Sequence, residues 1–162
     1  MVSQLDLSNN QLCSLDYAGL GTYTAEGITA IANAMRVNGA LRQVLALRPP
    51  ECLSCYSNPC LVLNVSQLDL SSNELCGLDR RGRGTYTAEG ITAIADALRV
   101  NGGLIKVSLA KNQLGEEGTK AICEALEQNK TLKELDISGE MFGKSNIGGT
   151  AGVKHVAKQR RL

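Results

Sequence analysis

Shifted by 63 residues, the chain lies on itself. Residues 2–44 align with residues 65–107 without a gap, and TYTAEGITAIA at 22–32 returns letter for letter at 85–95. Such a repeat restricts the fold more than composition does, because both copies must adopt one local structure and each must bury the same apolar face against a neighbour. A shorter pattern recurs inside the copies. Val2, Leu5, Leu7, Asn10 and Leu12 have the spacing LxxLxLxxNxL, which returns at Val65, Leu68, Leu70, Asn73 and Leu75 and at Leu104, Val107, Leu109, Asn112 and Leu114. Leu132, Leu135 and Ile137 begin it once more.

The alternation of Leu5 and Leu7 predicts a short strand with one buried face. After it, Gly27, Ala30, Ile31, Ala34 and Met35 fall at helical spacing and predict a helix whose small residues let it sit close to the sheet. Thr24 is placed to cap that helix, Glu26 lies in its first turn, and Asn38-Gly39 and Asn101-Gly102 are expected to end the two copies. Leu41, Val44 and Ala46 are positioned to supply the strand of a degenerate unit, which Pro49-Pro50 cut short.

These LxxLxLxxNxL steps resemble the leucine-rich repeat. Residues 104–131, LIKVSLAKNQLGEEGTKAICEALEQNKT, are similar to the unit of its ribonuclease-inhibitor-like subtype. The resemblance implies an α/β fold, a short curved right-handed βα horseshoe with a parallel sheet inside and helices outside. A single domain would span 1–162, with repeats at about 2–40, 65–103 and 104–131, a degenerate unit at 41–64 and a partial repeat or cap at 132–162. It also implies a non-catalytic module that binds a protein partner through the concave face and the strand-helix insertion loops. The alternatives are a structural subunit of a larger assembly and a regulator of an enzyme or GTPase.

Net charge is +1, with one Phe and no Trp, so neither the basic face nor the stacking aromatics of a nucleic-acid binder are present. No apolar run reaches membrane-spanning length and no secretory signal precedes Val2, so an intracellular, cytoplasmic location is expected unless a targeting segment has been removed. Cys52, Cys55 and Cys60 in RPPECLSCYSNPCLVLN have partial zinc spacing but lack a fourth ligand, so reduced thiols in a loop are expected and no metal or other cofactor is assigned. Cys13, Cys76 and Cys123 read as small packing residues, the first two expected too far apart for a disulfide.

Acid-base and nucleophilic chemistry needs converging titratable groups, and the one histidine, His155, aligned with Glu124, has no partner at a recognisable spacing, so no enzyme is expected. Asp6, Asp69 and Asp136 share one strand position and should form an acidic column on the inner face, with Glu134 and Lys106 beside it. Binding of a basic partner and simple solvation both account for such a column. Both copies carry an insertion between strand and helix, CSLDYAGLG and CGLDRRGRG, in which Tyr17 of the first stands against Arg80 of the second, with Arg81 and Arg83 alongside. A recognition edge and drift at solvated tips both account for that change. MFGKSNIGGTAG has lost the regular Leu and Asn, leaving a thin C-terminal cap with Val153, Val156 and Ala157 on its inner side. The first strand has no cap at all, so the N-terminal face is expected to be covered by another chain, a second copy or missing upstream sequence.

Overall fold

The computed structural model describes residues 3–13, 21–46, 65–79, 81–141 and 144–159. Within them the chain is α/β. Strands β1 (Gln4–Asp6), β2 (Gln67–Asp69), β3 (Lys106–Ser108) and β4 (Glu134–Asp136) form one parallel sheet in that order. Helices α1 (Glu26–Ala46), α2 (Glu89–Val100), α3 (Gly115–Gln128) and α4 (Gly149–Gln159) pack in the same order, each on the next. A hairpin, β5 (Glu140–Met141) and β6 (Lys144–Ser145), stands between β4 and α4.

The strands are short because only the LxL step is extended, and their register follows the repeat. Leu5 lies beside Leu68, Leu68 beside Val107, and Val107 beside Leu135. These central residues turn towards the helices: Leu68 and Val107 join Ile28, Ile91, Ile94, Leu98 and Ile122 in one apolar cluster. A fully buried aliphatic side chain contributes about 1.5–3 kcal/mol, so the cluster is the main favourable term.

Identical residues take different burial in the two copies, and the difference measures the neighbours they have. Ile28 and Ile91 are both fully buried. Gly90, Ile94 and Ala97 are buried too, but the equivalent Gly27 and Ala34 are exposed and Ile31 is half-buried. Helix α2 is flanked by α1 and α3, whereas β1 is an edge of the sheet. The stripe predicted for α1 therefore needs correction: Ile28, Ala32 and Met35 carry it, and Ala30 faces outward. Gly90 is a glycine because the backbones approach closely. A Cβ there would lie 2.8 Å from the Leu75 carbonyl oxygen and 2.9 Å from the Ile28 side chain.

Further expectations are overturned. Helix α1 runs through Asn38-Gly39 to Ala46, so Leu41, Val44 and Ala46 are helical and supply no strand. The second copy stops at Asn101, where Gly102-Gly103, β-branched Ile105 and Val107, and Ser108 follow. The first copy has Ala40, Arg42 and Leu45 where the second has Gly103, Ile105 and Ser108, which favours continued helix. Strand β1 pairs directly with β2, so nothing from 41–64 separates them. Cys13 and Cys76 consequently sit in adjacent units rather than two repeats apart. Capping at Thr24 is also displaced. Both copies begin their helices two residues later, at Glu26 and Glu89, and in the second the Thr87 hydroxyl accepts the Glu89 N–H (3.3 Å) across the capping residue Ala88. The readings of Pro49, Cys52, Cys55 and Cys60 lie outside the described residues.

Buried asparagines close the end of each strand. The Asn73 side-chain nitrogen donates to the carbonyls of Leu7 (2.8 Å), Leu70 (3.0 Å) and Ser71 (3.1 Å), and its side-chain oxygen accepts the Asn10 N–H (3.0 Å). Asn112 donates to Leu70 (2.9 Å) and Ala110 and accepts the Asn73 N–H (2.8 Å). Asn146 continues the series, accepting the Asn112 N–H (2.8 Å) and donating to Leu109 and Ile137. The last unit has therefore kept its asparagine, displaced by the hairpin. At the other end of the helices, Asn101 donates to Met35 (2.7 Å) and accepts from Gly103 and Leu104, while Asn129 does the same towards Leu98 (2.6 Å), Thr131 and Leu132.

Asn112→Ala strands the buried Asn73 N–H, at about 1–3 kcal/mol, and takes one of two donors from the carbonyls of Leu70 and Ala110, which keep the Asn73 side-chain nitrogen and the Ser72 N–H. Urea denaturation should show a loss of roughly 2–3 kcal/mol, against under about 1 kcal/mol for Asn10→Ala, whose side chain is exposed. Equal losses at the two positions would contradict this assignment.

Candidate functional site

The face of the sheet turned away from the cluster carries two registered rows, Gln4-Gln67-Lys106-Glu134 and Asp6-Asp69-Ser108-Asp136. The acidic column is thus interrupted at β3 by Ser108. Asp6 and Asp136 are exposed and Asp69 is half-buried. Lys106 reaches across to Glu134 at 3.0 Å, neutralising part of the row on an exposed surface where such a pair contributes little.

Each aspartate also has a local task that spacing alone did not show. Asp6 Oδ1 accepts the Ser8 N–H (2.9 Å), Asp69 Oδ1 the Ser71 N–H (2.8 Å) and Asp136 Oδ1 the Ser138 N–H (2.9 Å). The recurring Asp-x-Ser is therefore a turn that leads the chain out of the strand. The hydrogen bonds from Ser8 hold the Asp6 carboxyl below the usual range, and those from Ser138, with a smaller contribution from the Lys106 charge, do so for Asp136. One oxygen of each carboxylate is spent on the turn, and the charge still faces outward. Beyond the strand ends lies a polar groove of about 530 Å³ lined by Asn9, Asp69, Ser71, Ser72, Ser108, Lys111, Asp136 and Ser138. Its lip is shaped by Asn9, Ser72 and Lys111, which share φ near +60°, a conformation uncommon for residues with a side chain.

The second insertion is built around a buried aspartate. Asp79 Oδ1 accepts the N–H groups of Arg81 (2.9 Å) and Arg83 (2.7 Å), and Oδ2 receives the Arg83 guanidinium through Nε and Nη2, both at 2.7 Å. The Gln113 side chain of the next unit donates to the carbonyls of Leu78 and Asp79. Burial acts to raise the Asp79 carboxyl, but the hydrogen bonds and the Arg83 charge outweigh it and hold it below the usual range. Arg83 is therefore part of the loop's framework, about half exposed, and Arg81 is exposed. Tyr17 and Arg80 lie outside the described residues. Leu78 and Gly84 form a bridge within the loop, which adds no strand to the sheet.

The repeated Tyr of TYTAEGITAIA is a latch between units. Tyr23 donates to the Leu75 carbonyl (3.0 Å), and Tyr86 donates to that of Leu114 (2.6 Å) while accepting the Gly118 N–H (3.3 Å). Burial raises the Tyr86 phenol to about 12. Burial likewise pushes the free thiols of Cys13 and Cys76 to about 11 and about 12, which keeps them protonated and unreactive at neutral pH. Gly152 stands where Gly118 stands in α3, so His155 is level with Ala121 rather than with Glu124. In α4, Val153 is exposed, Val156 half-buried and Ala157 exposed. Among the described residues no group of three or more His, Cys, Asp or Glu is arranged to hold a metal ion. None of their helices is long and apolar enough to cross a membrane.

Arg83→Ala removes the charged partner of a buried carboxylate and should lower stability by about 1.5–3 kcal/mol in urea denaturation, whereas Arg81→Ala should stay within about 0.5 kcal/mol. Arg83 is thereby set apart from a solvated loop tip, which Arg81 remains. Because the folded Asp79 carboxyl is depressed, its stabilisation is full above the unfolded value of about 4 and is lost as pH falls through the lower folded value. The stability gap between wild type and Asp79→Asn should accordingly narrow below about pH 4, and a gap that widens on acidification would be inconsistent with this pairing.

Set beside known proteins, the chain matches no family model, and no curated protein is similar to it.

Proposed function

We propose that the four units form a leucine-rich-repeat solenoid of the ribonuclease-inhibitor-like kind, a short right-handed horseshoe, and that it works as a non-catalytic module for binding a protein partner. The observation that carries this reading is the open sheet face. Its polar side chains stand in two rows fixed by the strand register, with a polar groove at the strand ends and an insertion loop on the neighbouring edge. Such a face offers a rigid array of charges and hydroxyls, which suits recognition by electrostatic complementarity. Asp69 and Asp136 flank Ser108 on strands spaced about 4.8 Å apart, so their Cα atoms stand roughly 10 Å apart, a gap that suits a basic side chain of the partner. Reduced, buried thiols at Cys13 and Cys76 fit an intracellular, cytoplasmic setting.

Asp6, Asp69 and Asp136 changed together to Asn keep the acceptors for the three turns and remove three charges. In affinity capture with mass spectrometry, partners held by the wild type should fall away from this variant while its melting temperature stays nearly unchanged. Partners captured equally by both would reject the open face as the binding surface.

A second reading, a subunit of a larger assembly, is favoured by the N-terminal face. An apolar cavity of about 270 Å³ there is lined by Leu5, Leu7, Ile31, Ala34, Met35, Val65, Leu68 and Leu104, and Leu5 is 38% exposed on the edge strand. We propose that another chain, a second copy or upstream sequence covers it. Light scattering should then find the isolated chain self-associated, or hydrogen exchange should find poor protection at the Gln4 and Asp6 amides, which alternate along the edge strand with the Leu7 N–H that β2 holds. A monomer with strongly protected amides at both positions would refute the covering.

A further inference from the structure

The two insertions of the described chain meet. A Cβ on Gly82, at the tip of the loop that follows β2, would lie 2.6 Å from Lys144 Nζ and 3.2 Å from its Cε, so the lysine of β6 lies directly over the loop tip. Between them opens a wedge of about 430 Å³, within the range of ligand pockets of about 300–1,000 Å³, with Leu78 and Tyr86 on its walls and Gly115, Gly148 and Gly149 on its floor. Gly149 borders this open space, since a Cβ there would meet nothing within 4 Å. The walls are already rigid. Buried Asp79 and the Gln113 amide hold the loop, Tyr86 is tied to the Leu114 carbonyl, and the hairpin is followed at once by buried Asn146.

The rim is charged unevenly. Lys144 lines the wedge and Arg81 precedes Gly82 in the loop tip that Lys144 overlies; both are exposed, and among the described residues neither side chain has an ion-pair partner. Arg83 adds a guanidinium whose inner edge is taken by Asp79. On the Tyr86 side, Glu116 and Glu117 of α3 stand with Lys120. A carboxylate approaching this edge is drawn towards Arg81 and Lys144 and repelled from the opposite rim, which sets its orientation.

We propose that the wedge is a docking site for a protein segment carrying a carboxylate side chain next to a bulky apolar one. The apolar group enters between Leu78 and Tyr86, and the carboxylate pairs with Lys144 and Arg81. This rests on the reading of the chain as an interaction module and names a partner chemistry for its edge, opposite in charge to the basic group that suits the sheet face. Short glycine-serine peptides with a central Glu-Leu-Glu, Lys-Leu-Lys or Glu-Ser-Glu, titrated into the 15N-labelled full chain, test it. At millimolar peptide, Glu-Leu-Glu should shift the amides of Gly82, Ser145 and Gly149, and the other two should do so much less. Lys144→Glu and Arg81→Glu should each weaken Glu-Leu-Glu binding, roughly tenfold together, and leave the melting temperature unchanged, as exposed charges do. No shifts at the edge, equal shifts from Lys-Leu-Lys, or indifference to both substitutions would overturn the proposal. The wider reading is tested apart from it: capture that depends on Asp69 and Asp136 but not on Lys144 would leave the module standing and remove this site.

Discussion

A buried carboxamide that satisfies backbone on both sides of itself is what the rest of this structure depends on. Each strand of the parallel sheet is only three residues long, so the chain leaves the sheet almost as soon as it enters, and the carbonyls and N–H groups of that exit are buried. Asn73, Asn112 and Asn146 supply the missing partners, each bonding within its own unit and to the unit before it. Units joined in this way cannot slip along the sheet without stranding several buried polar groups together. The constraint is strong enough that the last unit, carrying an extra hairpin, still returns to an asparagine in the same place.

With the register held, the open face follows. Polar residues flank each central leucine or valine of the sheet, and the Asp-x-Ser turns begin where the strands end. Long excursions are then tolerated between the strand end and the helix, provided their bases are pinned, as Asp79 and Gln113 pin the loop after β2. The edge that results is stiff and carries charges that the framework does not consume. Tyr23 and Tyr86 belong to the same logic, latching each excursion to the following unit.

Much of this was legible in the chain. The 63-residue offset and the LxxLxLxxNxL spacing located β1, β2 and β3 and the helices that follow, because period and repetition survive without knowledge of contacts. What escaped was whatever depended on neighbours. Ile31 and Ile94 are the same letter in the same word, and only adjacency makes one half-buried and the other fully buried. Helix α1 passes Asn38 because Ala40, Arg42 and Leu45 favour helix, and at these positions the two copies differ. Asn146 was hidden by the hairpin that displaces it. The pairing of Arg83 with Asp79 had a local signal, an aspartate four residues before an arginine in a glycine-rich loop, but burial of that aspartate could not be read from spacing. The shared register of the three aspartates shows a column, and the recurring Asp-x-Ser carries the signal of the turn.

The central claim, that buried asparagine side chains join the units, is open to direct measurement. In 15N-labelled protein, the side-chain NH2 groups of Asn73, Asn112 and Asn146 should exchange with solvent far more slowly than that of exposed Asn10, by factors on the order of a hundred or more, because exchange requires local opening of buried hydrogen bonds. NH2 groups at these three positions that exchange as fast as Asn10 would contradict the account.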